Sequence, residues 1–152
     1  MNSRNILFVI VLLVACLSQA ASDIYAPALS VISRELHSTI NQAQWSMAIY
    51  MLGVALSLLF YGPISEGFGR KWTLVTGLCI MFSGSIMAFF APSIGVLILS
   101  RFIQGLGAGS CQGLVRAIFR DVFSGDELAK YGSYLMISIV FVVPVAPTIG
   151  AY

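Results

Sequence analysis

The sequence predicts an all-α, polytopic membrane protein with five transmembrane helices, and three observations predict it. Apolar residues make up 59% of the chain and Asp, Glu, Lys and Arg only 9%, where a soluble domain carries roughly a quarter of its residues charged. The apolar residues gather in five runs, each close to or above the roughly 20 residues that cross a bilayer as a helix. Nearly all the charges fall in the short polar links between those runs, so residues 1–152 read as one helical bundle. The lipid bilayer is its first partner.

The first span is expected over about residues 6–30, with Asp23 inside it. An ionisable group at that depth is costly unless it faces a wet cavity or a partner, which makes Asp23 a functional candidate. The competing readings are a helix ending at Ser22, with Asp23 at the interface, and a cleavable leader with a lipoprotein-like box at Leu13-Val14-Ala15-Cys16. The leader reading is disfavoured because four more apolar runs and no soluble domain follow. Arg34, Glu35 and His37 form a polar link, and the second span covers about residues 42–61, with Trp45 at interface depth. Its Gly53 and Ser57, four apart, make a small-residue face.

A polar hairpin, Gly62-Pro63-Ile64-Ser65-Glu66-Gly67-Phe68-Gly69-Arg70-Lys71, leads to a third span over about 72–90 that carries no charge. So short a link makes spans two and three antiparallel neighbours. The fourth span, about 94–115, sets Arg101, Gln104, Gly105, Ala108 and Gln112 on one face. A polar stripe at membrane depth faces protein or water. Gly105, Gly109 and Gly113, each four apart, allow a neighbouring backbone to come close. The run from Gly105 to Ser110 lacks the last glycine of GxGxxG and no strand precedes it, so a nucleotide site is rejected. A charged link holding Arg116, Arg120, Asp121, Asp126, Glu127 and Lys130 precedes the fifth span, about 131–152, which carries Pro144, Pro147 and Gly150.

Several function classes drop out. The net charge of +2 is spread over separate links, which excludes nucleic acid as a partner. Cys16, Cys79 and Cys111 lie inside apolar runs without CxxC spacing, and His37 is the single histidine. No metal site, cofactor or histidine-based catalytic constellation is expected, and the chain is not read as an enzyme. Counting alternate links, Arg4, Arg70, Lys71, Arg116, Arg120 and Lys130 lie on one side and Arg34 on the other. The bias places the amino terminus and the hairpin in the cytoplasm.

Residues in this order resemble the major facilitator superfamily of secondary transporters, and within it the drug/proton antiporters of the bicyclomycin-resistance and CflA group. The family pattern G-x-x-x-D-R-x-G-R-K falls on Gly62, Glu66, Gly67, Gly69, Arg70 and Lys71, with Glu66 in place of Asp and Gly67 in place of Arg. The pattern R-x-x-Q-G-x-G-A falls on Arg101, Gln104, Gly105, Gly107 and Ala108 without departure. The fifth-span pattern G-x-x-x-G-P-x-x-G-G keeps Pro147 and Gly150, with Val142, Ala146 and Ala151 at its glycine positions. Asp23, Tyr25, Pro27 and Ala28 in the first span, and the Arg120-Asp121 pair, also look like the group.

The resemblance implies five of twelve spans, the amino-terminal half without its sixth helix. It implies proton-coupled efflux of small drug-like compounds across a bacterial inner membrane by alternating access, with small-molecule substrate and protons as partners. Asp23, Tyr25, Arg101, Gln104 and Gln112 would line the coupling and substrate cavity. Gly62, Glu66, Gly69, Arg70 and Lys71 would form a cytoplasmic gating motif with Asp121. Without its carboxy-terminal half such a chain is expected to be an inactive fragment. The alternative is a membrane protein that only packs against other helices, which has no reason to keep Asp23 and Arg101 at membrane depth.

Overall fold

The structure, a computed structural model, describes residues 3–150, and all its regular elements are helices. They are α1 (Ser3–Asp23), α2 (Tyr25–Glu35), α3 (Ile40–Phe68), α4 (Arg70–Phe89), α5 (Ile94–Val122) and α6 (Gly125–Gly150). All but α2 are long and apolar enough to cross a membrane. The chain is a multi-pass, all-α membrane protein.

The first apolar run is one helix with a break. Ile24 keeps helical dihedrals (φ −62°, ψ −30°), and its N–H still donates to Ala20 O at 3.0 Å. Pro27 has no N–H to give to the carbonyl of Asp23, four residues earlier, so the ladder is interrupted there. The span expected to run unbroken over 6–30 is therefore divided after Asp23, and its continuation reaches Glu35.

The polar links are shorter than the sequence suggests. In place of a hairpin over 62–71, α3 runs on through Pro63 to Phe68, and Gly69 alone separates it from α4. With φ +86° and ψ 143°, Gly69 occupies a region that side-chain-bearing residues avoid. The charged link expected between spans four and five is also mostly helix, since α5 extends to Val122 and α6 starts at Gly125. Hydropathy marks where the chain leaves hydrocarbon, whereas helical hydrogen bonding continues into water wherever residues such as Arg, Glu and Lys favour it. Asp126 and Glu127 sit in the first turn of α6, where a helix dipole favours negative charge. At the other end of the bundle a capping box starts α3: Gln42 N–H donates to Thr39 Oγ1 (3.3 Å), and Thr39 N–H donates to Gln42 Oε1 (3.1 Å).

Helix α5 is the axis of the bundle. It lies between α3 and α4 and also touches α1 and α6, and its buried residues go almost all the way round. Over its middle stretch those residues are small or polar (Ser100, Gly105, Gly107, Ala108, Gly109, Ser110), with Leu97, Leu114, Val115 and Phe119 buried nearer the ends, while Leu59, Phe60, Phe82 and Phe89 point outward. In lipid this inversion is sound, because apolar side chains gain nothing by hiding from hydrocarbon and small ones let backbones touch. The buried face of α3 (Ala43, Ser46, Tyr50, Gly53, Ser57) is built the same way.

The contacts are backbone to backbone. A Cβ on Gly53 would lie 2.6 Å from Phe102 O of α5, and one on Gly84 of α4 would lie 2.6 Å from Gln104 N. Past the Gly69 end, Phe8, Phe119, Phe123 and Tyr131 tie α1, α5 and α6 together, with ring centroids 4.4–6.5 Å apart. Edge-on and tilted aromatic pairs of this kind are favourable beyond their buried area.

Gly53→Val and Gly107→Val should each push α5 off a neighbour and lower stability by about 1–3 kcal/mol, as overpacking does. Gly132→Val, where a Cβ meets nothing within 4 Å, should leave it unchanged. Thermal unfolding of the purified chain in detergent checks the difference.

Candidate functional site

The buried charge on α5 is wrapped by aromatic rings. Arg101 is 3% exposed, and its guanidinium carbon lies 3.7 Å from the ring centroid of Tyr25 and 4.7 Å from that of Tyr50. Desolvated cation–π contacts of this kind contribute about 2 kcal/mol or more. Arg101 Nη1 donates to Gln104 Oε1 at 2.5 Å and to the carbonyl of Ala21 at 3.5 Å. Gln104 Nε2 in turn donates to Ser85 Oγ of α4 at 2.8 Å. Four membrane helices and α2 thus meet at one cation.

The directions of these bonds follow from counting hydrogens. Ser85 Oγ spends its single hydrogen on Met81 O (2.9 Å), so it can only accept from Gln104. That orients the Gln104 amide with its oxygen toward Arg101. Ser46 Oγ likewise donates to Ala43 O (2.5 Å), which makes Tyr25 the donor in the 2.6 Å contact between the two hydroxyls.

Asp23 is near this cluster but not bonded to Arg101. Its carboxylate accepts from Gln19 Nε2 (3.1 and 3.4 Å) on α1, and Ser22 Oγ, whose hydrogen goes to Gln19 O at 2.7 Å, lies 3.2 Å from it. Gln112 shares the α5 face but is half-buried. Eleven residues from Arg101, it stands about 16 Å along the axis, so the structure does not bring it into the cluster.

At the Gly69 end, Arg70 at the start of α4 pairs with Asp121 near the end of α5: Nε meets Oδ2, and Nη2 donates to Oδ1 at 3.3 Å. Glu66 is exposed and lines an open cavity of about 310 Å³ beside Arg70 and Arg120, without a bond to Arg70. The pairing is therefore Arg70 with Asp121, and Glu66 stands outside it. Lys71 Nζ lies 5.8 Å from the Trp72 ring centroid. Gly62 lies inside α3 with open space where a Cβ would go, and Gly69 makes the turn.

The three spaced glycines of α5 all face α3. A Cβ on Gly105 would strike the backbone of Tyr50, one on Gly109 would lie 2.7 Å from Val54 O, and one on Gly113 would lie 3.1 Å from Leu58 Cδ2. Pro144 is exposed within α6. Pro147 and Gly150 belong to the last turns of α6, but their surroundings lie outside the described residues, as do Ala151 and Tyr152.

Sequence reasoning missed Tyr50, Ser46 and Ser85. Tyr50 and Ser46 were within reach, since Ala43, Ser46, Tyr50, Gly53 and Ser57 recur at spacings of three and four. Ser85 had no comparable signal, because beside Ser83 and Gly84 it reads as one more small residue in a span without charge.

The fold and the site define a multi-pass membrane bundle built around a caged arginine, and the comparisons make the class specific. The profile of the Major Facilitator Superfamily matches residues 11–152. The chain belongs to that superfamily. It is 35% identical to Multidrug resistance protein D of Escherichia coli (strain K12), over 96% of this chain and 37% of that protein. A bicyclomycin resistance protein homolog of Haemophilus influenzae is 30% identical over 100% of this chain and 39% of its own length. An uncharacterized MFS-type transporter of Bacillus subtilis is 33% identical over 91% and 34%. The chain spans little more than a third of the length of these relatives.

The Arg70–Asp121 pair is 33% and 50% exposed, so solvent screens it. A double-mutant cycle with Arg70→Gln and Asp121→Asn, read by thermal unfolding, should return a coupling of no more than about 1 kcal/mol. A markedly larger coupling would show that the pair is shielded from water.

Proposed function

We propose that this chain is the amino-terminal part of a proton-coupled exporter of small drug-like compounds. It would lie in a bacterial inner membrane, with its amino terminus and Gly69 turn in the cytoplasm. The observation that supports the reading most is Arg101, a desolvated cation caged by Tyr25 and Tyr50 inside the bundle. A protein that only packs helices together gains nothing from wrapping a charge at that depth, whereas a transport cavity uses one. The names of the relatives point to multidrug resistance, and the charge bias of the links supports the orientation. The reading is of a transporter rather than an enzyme.

In this reading Asp23 is the proton-coupling group, and Tyr25, Arg101 and Gln104 form the wall of the substrate cavity. Gln112 stands further along the same face. The Arg70–Asp121 pair, with Gly62, Glu66, Gly69 and Lys71 around it, holds the cytoplasmic ends of α4 and α5 together during part of the cycle. The remaining spans of a complete transporter would supply the facing half, and the five spans alone would not carry out export.

Within the complete transporter, Asp23→Asn should insert normally yet lose the dependence of efflux on the proton gradient. Expression level and efflux at several external pH values test this together. A well-expressed variant with unchanged dependence excludes Asp23 as the coupling site. Orientation is read separately, from Gly67→Cys and Asn41→Cys in a background without Cys16, Cys79 and Cys111. An impermeant thiol reagent added to intact cells should label the variant at position 41 and not the one at 67.

A further inference from the structure

The polar groups around Arg101 form a set with mostly one sense. Gln104 Oε1 is already taken by Nη1, Ser85 and Ser46 have spent their hydrogens on their own helices, and Tyr25 is donor to Ser46. What remains is mostly donors: Arg101 Nε and Nη2, which can only donate, and the Tyr50 hydroxyl, which can donate or accept, are buried without a hydrogen-bond partner. Burying donors of a charged group unmatched is costly, and a guanidinium has no way to become an acceptor. The chain's own carboxylate here, Asp23, is bonded to Gln19 of its own helix and not to Arg101.

We propose that the Tyr25–Arg101–Tyr50 site takes a hydrogen-bond-accepting group of the substrate, a carboxylate or a carbonyl, and discriminates against ammonium groups. This rests on the reading of Tyr25, Arg101 and Gln104 as substrate-cavity wall. The shape of the site agrees with it. Tyr50 is 1% exposed, Arg101 3% and Gln104 7%, whereas Tyr25 is half-exposed. Tyr25 is thus the wall on the solvent side. It begins α2 directly after the break at Ile24, where the helical ladder is already interrupted by Pro27. A displacement of Tyr25 leaves its hydroxyl bond to Ser46 to be remade and makes room beside the guanidinium, whose N–H groups point outward in its own plane. A planar acceptor then meets two N–H groups of Arg101 and the Tyr50 hydroxyl, the fork geometry that arginine offers carboxylates. An ammonium group would instead meet the like charge of Arg101 at close range.

Three probes of equal size separate these cases: benzoate, benzamide and benzylammonium, each a phenyl ring carrying one polar group. Saturation-transfer NMR on the full chain in nanodiscs, with empty nanodiscs as the blank, reads their binding. Benzoate and benzamide are expected to bind and benzylammonium is not. Tyr50→Phe keeps the ring and removes one donor, so it should raise the Kd of the two acceptors about fivefold, and Arg101→Lys, which keeps the charge and loses the fork, at least about tenfold. Equal binding of benzylammonium, binding unchanged in both variants, or binding of none of the three overturns the proposal. The assay needs no transport, so a chain that binds the acceptors but supports no efflux in the complete transporter would sink the exporter reading and leave the site's preference standing.

Discussion

A charge held inside a membrane bundle has to be surrounded by protein, and the structure around α5 follows from that requirement. Arg101 cannot face lipid, so α5 must be enclosed by other helices. Enclosure needs α3 and α4 to approach until backbones touch, which explains why α5 carries glycine or another small residue at most positions between Gly105 and Ser110. Had α5 been a helix of leucines, its neighbours would have stood a side chain further away, and neither Tyr50 nor Ser85 would reach the cluster. The glycines and the cation belong to one arrangement.

The break in the first apolar run is the second half of that arrangement. Pro27 frees the carbonyl of Asp23 and ends α1 there, so Asp23 and Tyr25 flank a joint rather than sitting in a smooth helix. One of them stays with α1, tied to Gln19; the other leaves with α2 to cover Arg101 and reach Ser46 on α3. Two residues that are neighbours in the sequence thereby serve different helices. A rigid helix would carry both together, and any movement of one would impose itself on the other.

Much of the fold was legible because a bilayer simplifies the code. Five apolar runs and the spacing of Gly105, Gly109 and Gly113 needed only composition and period, and the superfamily pattern at Arg101 and Gln104 needed only order. Helix ends were not legible at Phe68, Val122 and Gly125, since polarity reports the edge of the hydrocarbon and the hydrogen-bond ladder ignores that edge. The site was legible in part. Arg101 and Asp23 stand out as charges in apolar surroundings, yet Asp23 turns to its own helix, and Glu66 does not reach Arg70, because pairing depends on side-chain direction, which the spacing of charges does not convey. Ser85 was hidden because a serine that bonds back to its own helix looks in sequence like any small residue.

The Gly69 end of α5 and its middle are held by different physics, and the difference bears on how the bundle can move. At the Gly69 end Arg70 meets Asp121 in a setting open to water, where an ion pair is weak and easily exchanged. Beside it, Phe8, Phe119, Phe123 and Tyr131 pack with α6 into a cluster that includes Val11, Leu114 and Leu135. Dispersion between rings is indifferent to ionic surroundings, so this cluster keeps α1, α5 and α6 together whether or not the ion pair is closed. In the middle of the bundle, glycine contacts hold α5 to α3 and α4 with little room to slide, because a shift of one residue would set side chains against backbone. The pieces left free to change are then the screened pair at the surface and the joint at Ile24, which lie on opposite sides of the packed centre. Motion at either need not disturb the glycine contacts between them.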